Sequence, residues 1–232
     1  MKILAVDTSS FPASAAVSED GVILGEYIIR NQRKHSQNIL PMTEALFDML
    51  DMNISEIDAF AVTVGPGSFT GLRIGISTVR AFAQATGKPV VGINTLEALS
   101  YNLACTKGVI MPLIDARRNE VYCAAYSFDN GEMSELLSPC VMTVEECAEL
   151  FLDGTVTFTG DGSIANGDYL KSLQGDVSTA PANLNEVRAS SVAALAELKL
   201  KNGEAVNYNE IEPLYLRKSQ AEREYENRRN KE

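Results

Sequence analysis

The chain has 232 residues, 45% of them hydrophobic, with 20 basic against 31 acidic side chains and a formal net charge of −11. That is enough apolar material for one large domain or two lobes, and too acidic a surface to hold RNA or DNA unaided, because phosphate backbones are bound largely by Lys and Arg that displace counterions. The opening Met-Lys-Ile-Leu-Ala-Val-Asp reaches an acid after four apolar residues, so a signal peptide or membrane span is not expected and a cytoplasmic location is.

In chain order, residues 1–6 read as a buried strand ending at Asp7-Thr8-Ser9-Ser10. Residues 14–17 and 21–30 read as two more strands around Glu19-Asp20-Gly21, where Asp-Gly is a hairpin signal. A carboxylate followed by hydroxyls at a strand end suits a phosphate held through a metal ion and backbone amides, and it equally suits an ordinary turn. From His35 to Leu50 the pattern is helical, with Ile39, Met42, Leu46 and Met49 on one stripe and Leu40 and Phe47 on another flank. His35 itself reads as a surface or capping residue.

Residues 59–64 form an apolar strand pattern that runs into Gly65-Pro-Gly-Ser-Phe-Thr-Gly-Leu-Arg-Ile-Gly75, followed by a helix over 72–86. This strand, glycine turn and helix can cradle an anion at the helix N-terminus or allow close backbone packing. Leu72, Ile76, Val79 and Ala83 make one stripe of that helix, while Ile74, Ala81 and Ala85 widen the apolar arc. Two helices apolar beyond one stripe predict burial on two sides, one against the sheet and one against a partner.

Residues 88–94 predict a strand and 96–104 a helix, which completes an α/β lobe over 1–106. A second lobe over 107–216 begins with strands at 109–115 and 120–128, and Asp115 at a strand end echoes Asp7. Helices are expected at 143–152, with Thr143 and Glu146 as a capping box, at 166–173 and at 189–201. A strand at 155–159 ends in a second glycine turn, Gly160-Asp161-Gly162. The tail, 217–232, is charged and reads as a solvated or frayed helix.

Several chemistries lack their parts. Thr86-Gly87-Lys88-Pro89 puts proline where a Walker loop needs a metal-binding hydroxyl, and residues 87–92, about twenty beyond the glycine loop, hold no acid of the kind a dinucleotide fold requires. His35 is the only histidine, which disfavours His-pair metal sites and most triads. The four cysteines form no Cys-x-x-Cys pair and are expected as buried thiols.

Asp7-Thr8-Ser9, Leu40-Pro41, the 65–75 glycine motif, Leu96-Glu97-Ala98-Leu99, Asp115-Ala-Arg-Arg-Asn-Glu-Val-Tyr122 and Pro213-Leu-Tyr-Leu-Arg217 together resemble the bacterial TsaB (YeaZ) family over nearly the whole chain. The resemblance implies a two-lobed actin and sugar-kinase type fold with mixed sheets flanked by helices. It also implies a part in making threonylcarbamoyladenosine on tRNA, beside a catalytic paralogue, TsaD, and an ATPase, TsaE. The paralogue carries two metal-binding histidines in an Asn-His-x-Glu-x-His pattern. Here Asn94-Thr95-Leu96-Glu97-Ala98-Leu99 puts Thr95 and Leu99 in their places, and neither side chain replaces imidazole on a transition metal.

The resemblance therefore implies a non-catalytic subunit that needs no metal or cofactor of its own, with ATP or ADP and magnesium entering at most in the complex. Its partner face is expected at His35, Ile39, Leu40, Thr43, Phe47, Ile74, Thr78, Ala81 and Ala85. Asp7, Thr8, Ser9, Gly65, Gly67, Ser68 and Asp115 are the candidates for phosphate or nucleotide contact. A homodimer of the chain alone and only indirect tRNA contact are further expectations. The competing expectation is a nucleotide-dependent phosphohydrolase using Asp7 and Asp115 with magnesium.

Overall fold

The computed structural model describes residues 1–31 and 34–217. The charged tail beyond 217, and with it the expected frayed helix, lies outside the described residues. The chain opens with β1 (Lys2–Asp7), β2 (Ala13–Glu19) and β3 (Val22–Ile29) as an antiparallel meander. After α1 (His35–Leu50) come β4 (Ala59–Gly65), α2 (Phe69–Thr86), β5 (Val90–Asn94) and α3 (Thr95–Tyr101), with β4 and β5 added parallel to β1. The sheet order is β3-β2-β1-β4-β5.

The same plan is then repeated. β6 (Val109–Arg117), β7 (Glu120–Asp129) and β8 (Glu132–Thr143) form a second antiparallel meander, followed by α4 (Val144–Glu149), β9 (Val156–Thr159), α5 (Asp161–Ala165), α6 (Gly167–Ser172), β10 (Val177–Thr179) and α7 (Ala189–Lys201). The second sheet runs β8-β7-β6-β9-β10, strand for strand the order of the first, with β9 and β10 parallel. Asp7, the last residue of β1, and Asp115, two residues before the end of β6, thus sit at matching places in the two sheets.

Among the described residues three large apolar cores separate the layers, with a small fourth cluster at Leu103, Ile110 and Ala180. One face of the first sheet packs against α1 and α2 through Leu4, Val6, Ile39, Met42, Leu46, Phe60, Ile76 and Val79. Burying each of these larger side chains stabilises by roughly 1.5–3 kcal/mol. The other face shares a core with α3, α7 and the second sheet's Ala124 and Tyr126, which holds the lobes together. The third core lies between the second sheet and α4 and α6.

Local differences from the sequence reading have physical causes. β8 and β10 were not anticipated, since β8 is an edge strand carrying Glu132, Glu135 and Pro139 and has little apolar alternation. The second lobe was expected to reach 216, yet α7 packs on β1 and β2, and Val206 and Leu214 bond back to Val90 and Val64. The alanine-rich helix carries no signal for which sheet it covers. Cys123 and Cys147 are buried and Cys140 is half-buried, whereas Cys105 is exposed in the turn after α3. The expected Thr143–Glu146 capping box is present, with Glu146 N–H donating to Thr143 Oγ1 at 3.2 Å. Among the described residues no helix is long and apolar enough to cross a membrane.

Candidate functional site

The strand ends and their glycine turns converge on a cleft of about 500 Å³ between the lobes. Ser9, Gly67, Ser68 and Asp115 line it, together with His35, Phe69, Tyr122, Asp161, Tyr215 and Arg217. Asp7, Thr8 and Gly65 do not, because α2 is packed directly over the end of β1. A Cβ on Gly71 would stand 2.0 Å from the Thr8 carbonyl oxygen, and one on Gly75 would stand 2.4 Å from Thr8 Oγ1. Those glycines let helix and strand touch at backbone distance. Thr8 Oγ1 donates to the Gly71 carbonyl at 2.8 Å and Ser68 N–H to the Ser9 carbonyl at 2.7 Å.

Asp7 is fully buried. Its Oδ1 accepts from Ser9 Oγ and Thr63 Oγ1, each at 2.6 Å, and from Ser9 N–H at 3.1 Å, while Oδ2 has no partner. Loss of solvent pushes this carboxyl above the ordinary carboxylate range, opposed by the Ser9 and Thr63 hydrogen bonds. Asp115 is only half-buried. Its Oδ1 accepts from Arg117 N–H at 2.8 Å, its carboxylate faces the Arg117 guanidinium at 3.4 Å, and its own N–H donates to Asp161 Oδ1 at 3.0 Å. Burial likewise raises the Asp161 carboxyl.

The cleft's cations are largely spent on protein groups: Arg117 on Asp115, and Arg217 on Glu120 and the Ala116 carbonyl. Ser68 caps α2, its Oγ accepting from Gly71 N–H at 3.2 Å, so part of the first helical turn is satisfied internally. Among the described residues no group of three or more His, Cys, Asp or Glu side chains could hold a metal ion.

A second concavity, about 600 Å³, lies on the outer side of the first lobe between α1 and α2. Ile39, Leu40, Ile74 and Thr78 line it, joined by Ser36, Phe69, Arg73 and Ser77. Leu40 is 53% exposed. Ala81 and Ala85 are exposed further along α2, Thr43 is buried and bonds the Ile39 carbonyl at 2.8 Å, and Phe47 packs against the sheet core. His35 was expected on the surface or as a cap. It is instead the first residue of α1, half-buried in the interlobe cleft with Nδ1 enclosed, while Gln37 Oε1 reaches back to Lys34 N–H at 3.4 Å.

Sequence reasoning missed Phe69, Tyr215 and Arg217 as cleft residues. Tyr215 stacks on Phe69 with ring centroids 4.5 Å apart, and Arg217 crosses to the second lobe. The Pro213-Leu-Tyr-Leu-Arg217 motif entered only through the family resemblance, and nothing in its composition told where it would lie. Thr95 and Leu99 are both buried, Leu99 in the core between the sheets.

Comparison with known proteins agrees with this geometry. The family model described as TsaD, tRNA N6-adenosine threonylcarbamoyltransferase, matches residues 23–225. The chain is 31% identical over 233 residues to the tRNA threonylcarbamoyladenosine biosynthesis protein TsaB of Escherichia coli (strain K12), covering 95% of this chain and 96% of that protein. It is 29% identical over 227 residues to TsaB of Bacillus subtilis (strain 168), covering 96% of each. Among solved structures, YeaZ from Pseudomonas aeruginosa matches with a TM-score of 0.81 at 30% identity, over 93% of this chain and 99% of that one. The ethanolamine utilization protein EutJ from Carboxydothermus hydrogenoformans, with a TM-score of 0.53 at 10% identity over 84% of this chain and 90% of that one, shares the fold alone. The two-lobed fold with mixed sheets is thereby shared with YeaZ and EutJ, and the chain belongs, among proteins matched by the TsaD model, to the TsaB (YeaZ) family.

Proposed function

We propose that this chain is a non-catalytic subunit in tRNA threonylcarbamoyladenosine biosynthesis, docking a TsaD-type transferase on the outer face of α1 and α2 and supporting recruitment of a TsaE-type ATPase. The observation that carries the reading is the apolar groove of Ile39, Leu40, Ile74 and Thr78, left open on helices that already bury their opposite stripes in the core. Exposed apolar concavities of this kind mark partner surfaces. The family names supply the process, and Thr95 and Leu99 supply the reason for assigning no chemistry to this chain.

Pull-down of the transferase paralogue tests it. Leu40→Glu and Ala81→Glu stay folded, because both positions are exposed, and both lose the transferase because a charge buried at an interface is costly. Undiminished capture by both variants removes the proposal. The alternative, a magnesium-dependent nucleotide phosphohydrolase, draws support from the cleft acids Asp115 and Asp161. It is weaker because Asp7 faces Ser9 and Thr63 rather than the cleft. Calorimetry of the chain with ATP and magnesium separates the two readings, since saturable turnover lost in Asp7→Ala would favour the enzyme.

A further inference from the structure

Next to the docking groove, on the other flank of Arg73, is a hollow of about 320 Å³ lined by Arg73, Ile76, Ser77, Arg80, Pro213 and Tyr215. Arg73, Ser77 and Arg80 are spaced by four and three residues on α2, so a single stripe of the helix presents all three. Among the described residues their charges are unspent. Arg30, Arg117, Arg188 and Arg217 each pair with a carboxylate, whereas neither Arg73 nor Arg80 does among the described residues. In a chain with 31 acidic side chains, that is a matter of placement rather than supply.

Both guanidinium groups are nonetheless held. Arg73 Nε donates to the Tyr215 hydroxyl at 3.0 Å, with its guanidinium carbon 4.1 Å from the Phe69 ring centroid. Arg80 donates to the Ile211 carbonyl, and its Nε is enclosed without a partner. Neutral acceptors and an aromatic face fix the two forks without cancelling their charge. Such pre-positioned forks bind a planar oxyanion with less loss of side-chain freedom than a lysine pair.

We infer that this hollow receives a carboxylate: an Asp or Glu side chain of the protein docked on α1 and α2 enters it and is gripped by Arg73 and Arg80. The inference rests on the docking reading above, because Arg73 and Ser77 line both concavities. A nucleic-acid phosphate fits less well, since two arginines on a chain of net charge −11 give a backbone too little to track.

The test is a titration of the full-length chain with its transferase paralogue at low and high sodium chloride. Arg73→Gln and Arg80→Gln each weaken binding by roughly tenfold or more, as truncating one partner of an interfacial charge pair does, and flatten the salt dependence of the wild type. Arg118→Gln, which removes an exposed charge in the turn between β6 and β7 of the second lobe, retains near-wild-type affinity, which separates these two charges from the net charge of the chain. If Leu40→Glu abolishes binding while both arginine variants bind normally at all salt concentrations, the groove stands and the carboxylate site falls. If Leu40→Glu also binds normally, the docking reading itself fails. Loss of tRNA binding in the arginine variants with paralogue binding unchanged would overturn the inference in favour of phosphate.

Discussion

The molecule builds the same corner twice and uses the copies differently. In the first lobe β1 ends at Asp7, β4 ends in the glycine turn, and the 18-residue α2 is drawn onto the strand end until the acid is sealed. In the second lobe Asp115 stands two residues before the end of β6, β9 runs into Gly160, and only the five-residue α5 follows, leaving the acid half-exposed beside Arg117. What differs is how far the helix is packed down. Small residues at 71 and 75 bring α2 in close, and its length then presents a broad outer face away from the cleft. The corner that reads most like a phosphate cradle is thus the one most consumed by packing.

The largest effect is expected from filling that contact. Gly71→Ala puts a methyl group against the Thr8 carbonyl and costs about 3 kcal/mol in urea unfolding. Gly160→Ala, whose Cβ would stand 2.2 Å from the Leu113 carbonyl at a φ of 99°, is expected to cost a similar amount. A neutral Gly71→Ala would show that the first corner is looser than its hydrogen bonds indicate.

Asp7 gives the next largest effect, with an unusual sign. Burial holds its carboxyl above the ordinary value of 3.8. Between the two values the folded protein keeps a proton that the unfolded chain releases, so stability falls as pH rises through that window. Asp7→Asn, which removes that titration while keeping an oxygen to accept from Ser9 and Thr63, should therefore flatten the fall and gain on the wild type as pH rises through the window. Thermal melts across pH decide it, and a variant that loses ground on the wild type as pH rises would mean that the carboxylate is better satisfied than its geometry implies.

Smaller effects belong to the second corner and the strap. Arg217→Ala removes the bonds to Glu120 and Ala116 and is expected to cost about 1 kcal/mol, with faster hydrogen exchange at residues 213–217. Asp115→Asn, by contrast, should change stability by no more than ~0.5 kcal/mol, because its partner Arg117 is 86% exposed. An Asp115 variant as perturbed as the Asp7 one would erase the distinction between the corners.

Much of the first lobe was legible because its elements carry clean periodicity: the β1 run and the Asp-Gly hairpin fall where the pattern put them, the α1 stripe does so through Ile39, Met42 and Leu46 while Met49 in the last turn is exposed, and α2 starts three residues earlier, at Phe69, because Ser68 caps it. The duplicated topology was visible only as Asp115 echoing Asp7, since strand order is set by long-range pairing and not by local pattern. His35 and the 213–217 strap were misjudged or missed for the same reason, because their positions depend on which distant elements meet. For the candidate site, the motif located the corner but could not tell that Gly71 and Gly75 serve contact with Thr8 while Ser9, Gly67 and Ser68 face the cleft.

The most direct test of a docking rather than a chemical role is reconstituted threonylcarbamoylation of tRNA with the transferase, the ATPase and variants of this chain. We expect the Asp7→Asn, Asp115→Asn double variant to support the reaction at near-wild-type rate, while Leu40→Glu, folded by circular dichroism, supports almost none. Loss of activity in the double variant with transferase binding intact, beside an active Leu40→Glu, would contradict the docking role and return the chemistry to this chain.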